Sequence, residues 1–172
     1  MKRILIFGTG VSAQKVLNNL NYDHVVILRT FSKLFSLAAC RLGIIISNPT
    51  IIKYIRNSRL TFETNAVALL FAEKLVENPK IVEHMIQIQD QGKEYAIRTL
   101  ENNGYEVRDC SGNYIFVVPK RNPIQLEEVL KNKYKILIKS YRNELLKKYI
   151  RVSTGSVKAM TYFMNSFLEA DC

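Results

Sequence analysis

The segment Val25–Gly43, VVILRTFSKLFSLAACRLG, constrains this chain more than any other stretch. It opens with Val25-Val26-Ile27-Leu28, a β-branched apolar run with the length and composition of a buried strand. The run stops at Arg29, Thr30, Ser32 and Lys33 follow at once, and Arg41 comes eight residues after the lysine, just ahead of Gly43. Groups placed just past the carboxyl end of a strand in an α/β sheet sit where ligands bind. Two hydroxyls and a guanidinium suit a phosphate, because all of them donate hydrogen bonds and the guanidinium can grip two oxygens at once. An amine beside such a site suits condensation with an aldehyde to give a Schiff base. Spacing alone leaves a solvated loop open as a second reading, since Ser-Lys is a common pair.

The longer pattern separates the two. Thr30-x-Ser32-Lys33, then Phe35-x-Leu37-Ala38, then Arg41-x-Gly43 resembles the lysine region of fold-type I pyridoxal-phosphate-dependent aminotransferases of class I/II, and most closely the histidinol-phosphate aminotransferase-like branch. The resemblance implies that Lys33 holds pyridoxal 5'-phosphate as a Schiff base, that Thr30 and Ser32 bind the cofactor phosphate, and that Arg41 pairs with it. Ser36 stands where the family often has Gly or Ala, and Cys40 where it has Leu or a similar residue; neither change touches a functional atom. The family takes its carboxylate for the pyridinium nitrogen and its ring-stacking aromatic from sequence ahead of the lysine strand. Only Met1–His24 stand there, and none of those roles can be assigned to them. A truncated or fused form is therefore expected, with the resemblance running from near Tyr22 to about Ala170.

Ahead of that point, Lys2–Phe7 reads as a strand, Gly8-Thr9-Gly10-Val11-Ser12-Ala13 as a tight turn, and Val11–Leu20 as a helix. Strand, Gly-x-Gly-x-x-Ala and helix open a dinucleotide-binding unit, with the helix N-terminus facing a phosphate. The next strand follows too soon, and the acidic residue expected near its end is absent. A nucleotide site at Gly8 and Gly10 and a plain βα turn both remain open on sequence.

Downstream, Ile44-Ile45-Ile46 reads as a short buried strand. Asn48-Pro49, Asn78-Pro79 and Asn122-Pro123 each read as a helix start, with Asn as cap and Pro at the first helical position. Thr64 is expected to cap a helix through Val76 that buries Val67, Leu70, Phe71 and Leu75. The helix from Pro79 is expected to reach Asn103 and stop at Gly104, burying mostly Ile81, Met85, Ile88, Tyr95, Ile97 and Leu100. From there the pattern turns to strands at Tyr105–Arg108, Asn113–Val118, Lys135–Lys139 and Tyr149–Ser153, with a helix over Ile124–Asn132. A last helix capped by Ser156 presents Val157, Met160, Met164, Phe167 and Leu168 on one face. The expected fold is α/β: a fragment of the pyridoxal-phosphate-transferase large domain, then an α/β-sandwich small C-terminal domain whose mixed or antiparallel sheet is covered on one side. The expected division is 1–22 for the Gly-x-Gly element, 23–60 for the lysine-bearing segment and 61–172 for the small domain.

Tyr149-Ile150-Arg151-Val152-Ser153-Thr154-Gly155 places a guanidinium inside an apolar, β-rich run. Burial there costs desolvation unless the charge is paired. The partner is either one of the chain's 15 carboxylates or a ligand. The run resembles the family's Leu-Arg-Ile-Ser-x-Gly segment, which implies that Arg151 grips the substrate carboxylate. Asn113 matches a family Asn and takes a supporting part. At Lys139 the family usually has Arg after a Gly, and that Gly is missing here.

Composition removes other classes. No apolar run is long enough to span a bilayer, and Lys2-Arg3 before four apolar residues is too short for a signal peptide. Three widely spaced cysteines read as reduced thiols of a cytoplasmic protein, and two distant histidines offer no metal-ligand spacing. The net charge of +10 is concentrated around Lys131–Lys148. It reads as a solvated face that helps draw in anions, and no nucleic-acid module accompanies it. The partners implied by the resemblance are an amino acid and a 2-oxo acid, in a homodimer. A nucleotide-binding module or a noncatalytic interaction protein derived from such a domain is the alternative.

Overall fold

The computed structural model describes residues 25–58 and 64–172. The Gly8-x-Gly10 turn and its expected strand and helix lie outside the described residues. The chain divides into two compact units with the boundary between Met85 and Ile86.

In the first unit, β1 (Ile27–Thr30) pairs antiparallel with β2 (Gly43–Ile46), and Thr30 lies opposite Gly43. Both runs were expected to be buried, yet Leu28 is 70% and Ile45 42% exposed. The reason is that the two-stranded sheet has an apolar cluster on one face only, built among the described residues from Phe31, Leu42 and Ala68 with Ile44, Phe35 and Leu37. Helix α1 (Pro49–Ser58) starts as expected, with Asn48 Oδ1 accepting the Ile51 N–H at 2.9 Å. Helix α2 (Ala66–Glu77) is capped by Asn65 rather than Thr64, its Oδ1 taking the Ala68 N–H at 2.8 Å. Its buried side is Ala68 with Ala72 and Leu75. The expected stripe is mostly outside: Val67 is 62%, Leu70 55% and Phe71 52% exposed. A helix apolar on nearly every side gives periodicity nothing to choose between.

Helix α3 (Pro79–Asn102) ends before Gly104, whose φ of +80° suits the left-handed residue after a helix. In the second unit, β3 (Glu106–Asp109), β4 (Tyr114–Val118), β6 (Ile150–Ser153) and β5 (Lys139–Ser140) form one antiparallel sheet in the order β3-β4-β6-β5. The expected strand Lys135–Lys139 shrinks to that two-residue β5. Lys135, at φ +58°, instead closes helix α4 (Pro123–Tyr134), with the Ile136 N–H on the Leu130 carbonyl at 3.0 Å. Ile115, Val117, Ile150 and Val152 point to one side of the sheet. They meet Ala96 and Leu100 of α3, Leu126 and Leu130 of α4, and Met160, Met164 and Phe167 of α5 (Val157–Ala170). The sheet is covered on one face, as expected. Ser156 caps α5, accepting the Ala159 N–H at 3.3 Å. The buried side of α3 matches the expected one in its second half, where Leu100 is buried and Tyr95 and Ile97 pack against the core, but Ile81 and Ile88 are exposed and Gly92 and Ala96 are buried instead.

Candidate active site

The residues singled out in the sequence fall in two places, one in each unit. The first is the loop joining β1 to β2. Its ends are pinned where the ladder runs one pair further, the Phe31 N–H donating to the Leu42 carbonyl at 3.2 Å. Phe31 and Leu42 are both buried, so the pin sits in the core of the unit. Gly43 permits the close pairing, since a Cβ there would lie 3.0 Å from the Arg29 carbonyl. Within the loop, the Ser36 N–H reaches the Lys33 carbonyl at 3.0 Å and the Leu37 N–H the Phe31 carbonyl at 3.1 Å. Ala38–Cys40 then form one 3-10 turn.

This fold of the loop brings Thr30, Ser32, Lys33 and Arg41 onto one short hairpin end. The Thr30 hydroxyl donates to the Ser32 hydroxyl at 2.9 Å, and the Ser32 N–H donates to Thr30 Oγ1 at 3.0 Å. Lys33 is exposed, and its amine has no hydrogen bond or ion pair among the described residues. Arg41 is exposed with φ +52°, and among the described residues its Nη1 reaches only the Ala38 carbonyl, at 3.5 Å. Residues 25–58 contain five cationic side chains and no Asp or Glu. The donor set therefore fits a phosphate, and the free amine fits an aldehyde. The same segment offers no carboxylate to a ring nitrogen.

The second place is the open face of the second unit's sheet. Register sets Arg108, Phe116, Arg151 and Lys139 in one row across its four strands. Arg151 alternates outward between buried Ile150 and Val152, so it is exposed and not desolvated as its apolar neighbours suggested. No carboxylate among the described residues pairs with it; its guanidinium lies 5.3 Å from the centre of the Tyr114 ring. The intramolecular ion pair that composition allowed is thus not made there. Glu106, on β3 of the same sheet, is engaged with Arg108 Nε at 3.3 Å, Lys148 Nζ at 3.4 Å and the Tyr149 hydroxyl at 3.3 Å. Desolvation works to raise its carboxyl, and the hydrogen bonds and charges of these partners overcome it and hold the group below the usual range. Asn113 stands just before β4, its carbonyl accepting the Thr154 N–H at 2.9 Å.

Sequence reasoning missed what holds this second place in order. Gln89 and Lys93 of α3 reach down to it: Gln89 Nε2 donates to the Thr154 hydroxyl, and Lys93 Nζ donates to the Cys110 carbonyl and pairs with Asp109. Gly92 between them meets the loop after β6 backbone to backbone, a Cβ there falling 1.8 Å from the Gly155 carbonyl. Polar side chains and one glycine in a helix carry no hydropathy signal, so nothing in the pattern marked them.

Comparison with known proteins bears on both places. The family model described as aminotransferase class I and II matches residues 5–167, which takes in most of the Gly-x-Gly element as well as both sites. The chain belongs to this aminotransferase family. A histidinol-phosphate aminotransferase of Clostridium novyi is 29% identical over 136 residues, covering 78% of this chain and 38% of that protein. The crystal structure of the histidinol-phosphate aminotransferase from Clostridium acetobutylicum matches with a TM-score of 0.81 at 20% identity, over 95% of this chain and 50% of that one. The enzyme from Sinorhizobium meliloti, solved in complex with pyridoxal-5'-phosphate, matches with a TM-score of 0.76 at 19% identity, over 86% and 41% of the two chains. Likeness at that identity is one of fold. The chain spans about two-fifths of the length of the curated relatives it matches. Among the described residues, no helix is long and apolar enough to cross a membrane, and no cluster of ligands could hold a metal.

Proposed function

We propose that this chain carries the lysine-bearing and C-terminal parts of a pyridoxal-phosphate-dependent aminotransferase. The reaction is transfer of an amino group between an amino acid or amino-phosphate and a 2-oxo acid. The observation that carries the reading is the β1–β2 loop, which gathers two hydroxyls, an unpaired amine and a guanidinium on one hairpin end free of acids. Thr30, Ser32 and Arg41 would hold the cofactor phosphate, and Lys33 would hold its aldehyde carbon. When bound, the cofactor supplies the electron sink that weakens a bond at the amino-acid α-carbon. Lys33 is the group that moves a proton at that carbon, as base and then as acid. Arg151 would take the substrate carboxylate in a two-point grip, with Asn113 in support.

By the same reading, residues 23–60 are the lysine-bearing segment of a cofactor domain, 61–172 a small domain, and 1–22 a separate βα element. A cytoplasmic location fits three free cysteines. A homodimer fits the uncovered apolar side of α2.

Equilibrium dialysis against pyridoxal 5'-phosphate and against pyridoxal tests the phosphate grip. The phosphorylated form is retained, the unphosphorylated form is lost, and Arg41→Met removes the difference. Equal retention of both compounds, unchanged in Arg41→Met, would overturn the reading. The transfer itself is read by following 15N from a labelled amino acid into the 2-oxo acid's product.

A further inference from the structure

We propose that Tyr114 is the positioning residue that aims Arg151 at a substrate carboxylate, and that Gly112 and Lys93 serve to keep the Tyr114 ring in place. The inference rests on the reading of Arg151 as the carboxylate anchor.

An exposed arginine on a sheet face has many rotamers and no reason to hold one of them. An acid partner would fix it, but would also occupy the N–H edge that a substrate carboxylate needs. A ring beneath the guanidinium fixes it differently. The cation rests on the π face, and the in-plane N–H donors stay free to fork two oxygens. That is the arrangement here. The Arg151 guanidinium lies 5.3 Å from the Tyr114 ring centre, and no carboxylate pairs with it among the described residues. Its direct cross-strand partners are Phe116 and Lys139, so Tyr114 reaches it on the diagonal, a distance an aromatic side chain spans.

The ring is itself held from two sides. Phe116 meets it edge-on, with centroids 5.7 Å apart and planes at 84°. On the other side it covers Gly112, where a Cβ would stand 2.8 Å from the ring's Cε1 and 3.2 Å from its Cδ1. Any larger residue at 112 would push the ring off its seat. The turn that carries Gly112 is tied down by Lys93, whose amine donates to the Gly112 carbonyl at 3.2 Å and to the Cys110 carbonyl, and pairs with Asp109. The Lys93 side chain is only 13% exposed, so this fastening is sheltered from solvent. A connected path thus runs from α3 through the turn and the ring to the guanidinium, and Asn113 lies on it between Gly112 and Tyr114.

The test is NMR of the full chain, following the arginine Nε–H signals and titrating with 2-oxoglutarate as the carboxylate probe. The Arg151 Nε–H signal is expected to show a ring-current shift that Tyr114→Phe keeps and Tyr114→Leu loses. The Leu variant should bind the probe about three- to tenfold more weakly, the Phe variant within twofold of wild type, and Gly112→Ala in between. An unchanged backbone amide spectrum away from position 114 separates loss of aim from loss of fold. If Tyr114→Leu binds as tightly as wild type while Arg151→Ala does not bind, the positioning role is overturned and the anchor stands. If Arg151→Ala also binds unchanged, the anchor reading fails and takes the positioning role with it.

Discussion

Ser36 has a backbone φ of +55°, a conformation that costs an L-residue with a Cβ about 1 kcal/mol or more. The turn that takes its N–H to the Lys33 carbonyl sets this conformation, which Gly adopts without strain. Ser36→Gly should therefore raise stability by about 1 kcal/mol, read as a higher urea midpoint at unchanged slope; a fall in midpoint would show that the loop is not strained there. A second residue-scale effect belongs to Tyr105. Burial, and then the negative charge of Asp171, push its phenol up to about 12. Among the described residues its hydroxyl has no acceptor within hydrogen-bond geometry, and the Asp171 carboxylate takes the Lys120 and Arg121 N–H groups at 2.8 and 2.9 Å. The sign follows from linkage. Below pH 10 the phenol is neutral in both states, so it adds no pH dependence; between pH 10 and 12 the unfolded chain ionises while the folded one cannot. Stability then falls by up to about 1.4 kcal/mol per pH unit. The difference between wild type and Tyr105→Phe in denaturant titrations should be constant below about pH 9 and grow in the variant's favour up to pH 12. A difference independent of pH would rule this out.

At the scale of elements, what could be read in advance follows from how local the cause is. The helix starts at Asn48-Pro49 and Asn122-Pro123 were legible because a cap is chemistry between a side chain and the next turn; α3 also starts at Pro79, but the Asn78 side chain turns back to the Lys74 carbonyl at 2.7 Å instead of capping it. The strand run holding Arg151 was legible from its β-branched, apolar composition, while the outward alternation that exposes Arg151 was not read from it. What could not be read depends on which side of an element meets another. Helix α2 is apolar almost all round, so of the expected stripe Val67-Leu70-Phe71-Leu75 only Leu75 lies on the true inner side, with Ala68 and Ala72, and the two sides look alike in sequence. Helix α3 turns inward the expected Leu100 but also Gly92 and Ala96, with Gln89 and Lys93 as ties, where size and hydrogen bonds matter more than hydropathy. Lys135–Ile138 is apolar enough for a strand, but the left-handed Lys135 directs it along the core, and only Lys139–Ser140 joins the ladder. A prediction follows for α3. Ala is the better helix former, so Gly92→Ala would stabilise a free helix by about 1 kcal/mol. Here the added methyl would fall 1.8 Å from the Gly155 carbonyl. The forced separation of backbones should instead destabilise the unit by about 3 kcal/mol. Thermal unfolding decides between the two signs.

For the whole molecule, the governing facts are family membership and a span of about two-fifths of the curated relatives' length. They agree with the distribution of uncovered apolar surface. In the first unit, one side of β1–β2 and the Val67-Leu70-Phe71 side of α2 have no cover among the described residues. Surfaces of this kind mark where another polypeptide packs. If a second copy of this chain packs there, Leu70→Lys with Phe71→Lys should convert a dimer to a monomer in sedimentation velocity; a dimer surviving both changes would place its interface elsewhere. Cofactor chemistry is the deeper question, because the lysine loop fits the phosphate and the aldehyde while residues 25–58 hold no acid for the ring nitrogen. The most direct measurement is to load the chain with pyridoxal 5'-phosphate, reduce with borohydride and map the labelled peptide. The account predicts a single dominant adduct on Lys33, absent from Lys33→Ala and weakened in Arg41→Met. Label scattered over the other exposed lysines, with Lys33 no more reactive than they are, would contradict it.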